Sequence, residues 1–123
     1  MGRRQRQRSR SDAGTGAAPS LAPSEYRGDD AGVLALRATL PPAARREYAA
    51  TIGGGHHRED ARQRAIELLF ERLAVSWTIQ GLEIDRQREL LHRYRMASGA
   101  EREFVLRALR EHLSEHFPEM EAP

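Results

Sequence analysis

One apolar stripe constrains this chain more than any other feature. Ile66, Leu69, Phe70, Leu73 and Trp77 recur at spacings of three and four, the period of a helix that buries one side. Glu59 and Asp60 stand where the first turn of that helix favours negative charge. The spacing predicts a continuous helix over about 59–80. A competing reading applies at its end. Val75-Ser76-Trp77-Thr78-Ile79 is rich in β-branched residues, and Gln80-Gly81 suits a turn into Leu82-Glu83-Ile84.

The flanking segments also read as helices. Asp85 is placed to cap a helix ending near Ala97, with Leu90, Leu91, Tyr94 and Ala97 on its buried side. Ser98 and Glu101 have capping-box spacing and open a helix over 99–117. Its stripe is Val105, Leu109, Leu113 and Phe117, with Leu106 beside it, and Pro118 stops it. Upstream, Pro41-Pro42 suit the first turn of a helix reaching about Ile52, which Gly53-Gly54-Gly55 ends. Residues 33–40 read as a short helix behind Asp29 or Asp30, although their alternation also suits a strand. The resulting expectation is an all-α fold. It is a small helical bundle of three main helices (about 59–80, 85–97 and 99–117) with one or two short helices before them.

Charge divides the chain of 123 residues. All 20 basic residues are arginine, against 18 acids, and there is no cysteine. Disulfides, thiol nucleophiles and cysteine-ligated zinc are therefore excluded. Residues 1–28 hold six arginines against Asp12 and Glu25, whereas 29–123 hold fourteen against sixteen acids. The excess positive charge thus belongs to the N-terminal segment. Its small polar residues, with Pro19 and Pro23, read as a disordered basic tail over 1–28, followed by a domain over 29–123. No run approaches the roughly 18 apolar residues of a membrane span. Arg3 to Arg10 precede no apolar stretch of an export signal, so a cytoplasmic location is expected.

Three motifs bear on chemistry. His112, Glu115 and His116 match the H-x-x-E-H zinc-peptidase pattern, in which two histidines one turn apart bind the metal and glutamate activates water. His56 and His57 after the glycine run are further imidazoles for such a site. Dipole-favoured histidines in a last turn and a solvated loop account for both, so no metal, cofactor or catalytic residue is assigned. The helix–Ser98-Gly99-Ala100-Glu101–helix unit has the outline of a helix-turn-helix, but Glu101 and Glu103 would face phosphates, and it reads as a plain helical hairpin.

The leading functional reading is a non-enzymatic, adaptor-like interaction protein. It presents the face formed by Ile66, Leu69, Phe70, Leu73 and Trp77 to a partner or to a second copy. The alternative is nucleic-acid binding through Arg3, Arg4, Arg6, Arg8 and Arg10, driven by counterion release and without aromatic residues for base stacking. A histidine metal site around His112 and His116 comes third.

Overall fold

A computed structural model describes residues 22–54 and 57–123. The elements run β1 (Ser24–Gly28), β2 (Gly32–Leu36), α1 (Pro42–Ile52), α2 (Arg58–Leu73), β3 (Ala74–Ile79), β4 (Leu82–Ile84), α3 (Gln87–Arg95) and α4 (Gly99–His116). The strands form one antiparallel sheet in the order β1-β2-β3-β4. The protein is therefore mixed α/β, which corrects the expectation of an all-α helical bundle.

Alternation along the strands shows why a sheet forms. Tyr26, Leu34, Trp77 and Ile84 lie opposite one another across all four strands. The next row is Arg27, Val33, Thr78 and Glu83. Tyr26, Leu34 and Trp77 are buried, whereas Arg27 and Glu83 are exposed. One face of the sheet is thus covered by the helical layer and the other meets water.

The helix expected over 59–80 stops at Leu73. Ala74 is already extended, with φ −67° and ψ 126°. Trp77 misled the helical reading because two periods agree on it. It lies four residues after Leu73, yet on the strand it shares the buried side with Ile79, two residues on, and with Ala74 across a bulge at Val75. Gln80 and Gly81 both have left-handed backbone, φ 52° and 80°, between the paired Ile79 and Leu82. This is the two-residue turn that matches strand twist. In the same way residues 33–36 form a strand, and residues 24–28, read as the end of the tail, form β1.

The later helices follow their local signals. Ser98 and Glu101 form the reciprocal capping box at the start of α4. α1 begins at Pro42, and the N–H of Gly53 closes it by donating to the Ala49 carbonyl at 3.1 Å. α3 is capped at Arg86 and not at Asp85, without a side-chain bond.

The apolar stripe lies inside the molecule. Ile66, Leu69, Phe70, Leu73 and Trp77 are all at most 2% exposed and share one core with Leu34, Leu36, Tyr94, Val105 and Leu109. The Phe70 ring stacks on Tyr94 with centroids 5.0 Å apart and meets Trp77 edge-on at 5.8 Å. Each large side chain contributes about 1.5–3 kcal/mol by burial. No helix among the described residues is long and apolar enough to cross a membrane.

Two glycines in left-handed turns separate strain from collision. A Cβ on Gly32 (φ 84°) would lie 1.9 Å from the Thr78 carbonyl oxygen, whereas one on Gly81 (φ 80°) meets nothing within 4 Å. Gly81→Ala should cost about 1 kcal/mol of backbone strain, and Gly32→Ala at least about 3 kcal/mol. Urea unfolding of both variants checks the ranking, and equal losses would contradict the β2–β3 register.

Candidate functional site

α4 meets the edge strand β1 along Phe104, Ala108 and His112, one ridge at a spacing of four. At one end Phe104 lies against Gly28, where an added Cβ would come within 2.8 Å of the ring. At the other end stands His112, fully buried. Its Nε2 is 2.6 Å from the Arg37 carbonyl oxygen and its Nδ1 is 2.8 Å from the Tyr26 hydroxyl. A carbonyl can only accept, so Nε2 carries the proton, and neutral Nδ1 accepts from the Tyr26 O–H. One imidazole thereby ties β1, α4 and the segment after β2 together.

The electrostatics favour that neutral state. Burial, helped by nearby His116, pushes His112 below its ordinary 6.5, against the opposing pull of the Arg37 carbonyl and Glu115. Burial and the charge of Glu115 push Tyr26 up to about 12. Glu115 Oε1 lies 3.3 Å from the Tyr26 hydroxyl. When His112 takes a second proton, Nδ1 becomes a donor, and Tyr26 must turn its single proton to Glu115. The site is a short proton-coupled chain.

The remaining motif residues sit around it. His116 is exposed, its ring centroid 4.4 Å from that of His112 and its Nε2 3.2 Å from Ser24 Oγ. Among the described residues no carboxylate pairs with His116, so a Ser–His–acid triad is not assembled there. Both nitrogens of His112 are already bonded inside the protein, and H-x-x-E-H zinc ligation would break one of those bonds. Among the described residues, no three histidines or acids are placed to hold a metal ion. His57 is exposed at the start of α2, and His56 lies outside the described residues. Arg3, Arg4, Arg6, Arg8 and Arg10 also lie outside them.

Beside the imidazole chain runs a cleft between the outer edge of β1 and α4. One part, about 360 Å³, is lined by Glu25, Tyr26, Arg27, Phe104, Arg107 and Glu111 among others. It shares Phe104 and Arg107 with a second part of about 450 Å³ that reaches Asp29, Asp30, Glu101 and Glu103. Six acidic residues (Glu25, Asp29, Asp30, Glu101, Glu103 and Glu111) and two arginines, Arg27 and Arg107, line the two parts, with Glu25 3.8 Å from Arg27. Arg93, 2.7 Å from Glu101, holds that carboxyl below its usual range, helped by Ser98. Asp29, Asp30, Glu103 and Glu111 have no ion pair among the described residues. Sequence reasoning assigned Ser24, Glu25 and Tyr26 to the tail and so missed the strand side of this cleft. The available signal was Tyr26, the lone aromatic in a stretch of small and polar residues.

Because His112 is held below 6.5, the unfolded chain binds its proton first as pH falls. Its contribution to stability is complete above that value. It declines as pH drops through 6.5, until the folded His112 is protonated as well. His112→Leu should remove this slope and, by stranding the Arg37 carbonyl and leaving the Tyr26 hydroxyl only its longer bond to Glu115, cost about 1–3 kcal/mol. Denaturant unfolding between pH 5 and 8 measures both, and an unchanged slope in the variant would contradict the assignment. Comparison with protein-family models, with curated proteins and with solved structures finds no match for this chain.

Proposed function

We propose that this chain is a non-catalytic protein-interaction module that docks an extended, arginine-rich polypeptide segment along β1. The apolar stripe first read as an interaction face is spent in the chain's own core, so the interaction reading moves to a different surface. The observation that carries it is the coincidence of two features. β1 is an edge strand with backbone groups unpaired by any other strand among the described residues, and its flank is the carboxylate-lined cleft under α4. An edge strand offers main-chain hydrogen bonds to an added strand, while a neighbouring helix supplies side-chain selectivity. Here the selectivity is for positive charge.

Aromatic residues that would stack bases are missing from the open sheet face, whose central row is Arg27, Val33, Thr78 and Glu83. Repulsion of phosphates by the acids of the cleft works in the same direction.

Titration of the isotope-labelled full chain with a synthetic peptide of alternating arginine and glutamine tests the reading. Amide shifts should concentrate in 24–31 and 100–111 and saturate. Three exposed pairs at roughly 0.5 kcal/mol each amount to about a tenfold loss of affinity in Asp29→Asn/Asp30→Asn/Glu103→Gln. Shifts scattered over the surface, or affinity unchanged in the triple variant, would contradict it.

A further inference from the structure

We infer that the resident occupant of the β1–α4 cleft is the chain's own arginine-rich N-terminal segment, Arg3 to Arg10, which screens the docking edge from other partners. This rests on the docking function proposed above and names its regulation. Three observations carry it. The segment enters the described structure at Ala22, next to the start of β1. Five of its first ten residues are arginine, whereas Asp29, Asp30 and Glu103 at the far end of the cleft are exposed acids without an ion pair among the described residues. The segment is also long enough. β1 spans about 17 Å at 3.3 Å per residue, and the residues from Arg10 to Ala22 reach up to about 40 Å. Arg10 and Arg8 can therefore be brought to Asp29, Asp30 and Glu103 with slack between them and Ala22.

The absence of cysteine makes the test clean, because Ser9→Cys creates a single site for a nitroxide spin label on the full chain. At low salt, the label should broaden amides of Glu25–Ala31 and Glu101–Glu111. The broadening should fade in Asp29→Asn/Asp30→Asn/Glu103→Gln and at about 500 mM salt, where charges are screened within a few ångströms. An isotope-labelled copy without nitroxide, mixed with a spin-labelled copy, should stay sharp. Broadening elsewhere, none at all, or broadening only in the mixed sample would overturn the inference. So would a segment that leaves the cleft untouched and binds duplex DNA instead.

A second measurement separates the inference from the reading beneath it. Replacing the five arginines with glutamine should tighten binding of the arginine–glutamine peptide about tenfold, since a competitor occupying the cleft most of the time lowers apparent affinity by that factor. Equal affinity for both forms would overturn occupancy by the chain's own segment and leave docking intact. No binding by either form would remove docking as well.

Discussion

A buried indole needs an acceptor for its N–H, and in this protein that need organises the fold. Trp77 is fully buried and donates to the Ala31 carbonyl at 2.7 Å, from the third strand to the connection between the first two. The bond spans 46 residues, across which α1 and α2 are inserted. It holds the β1–β2 connection down at the point where Gly32 approaches the Thr78 backbone too closely for any side chain. Asp29 and Asp30 project from the same connection. The acidic end of the cleft is therefore positioned by the core.

At the opposite end of β1 the anchor is polar. His112 bridges Tyr26 and the Arg37 carbonyl, so the edge strand is held between an aromatic pin and an imidazole pin. Both lie on the inner side of β1. Its outer backbone edge pairs with no strand among the described residues, and acidic residues line its flank. A surface acid costs little to maintain, whereas an unpartnered apolar edge would invite aggregation. On the docking reading proposed above, the charge along this cleft both protects the edge and selects what covers it.

Local signals made much of the helical layer legible. Ser98 with Glu101, Pro42 at the start of α1, Pro118 beyond α4 and the stripe Val105, Leu109 and Leu113 each act within one or two turns, where sequence spacing is geometry. The sheet was less legible because its decisive contacts are remote. Tyr26 and His112 are 86 residues apart, and nothing local pairs them. Residues 74–79 follow α2 without a break, so a buried strand continued the apolar count of a helix. The β-branched Val75, Thr78 and Ile79 and the Gln80-Gly81 pair were the better guide. His112 carried a signal of its own, since it falls three residues after Leu109 and four after Ala108, a core position on α4.

The central claim is that the stripe ending in Trp77 closes the core of a single chain and does not form a seam between chains. Trp77 is the sole tryptophan, so its fluorescence reports that stripe alone. Acrylamide quenching across a hundredfold range of protein concentration is the direct measurement. The account predicts a blue-shifted emission that is poorly quenched and independent of concentration. Ready quenching in dilute solution that disappears as the protein is concentrated would contradict it.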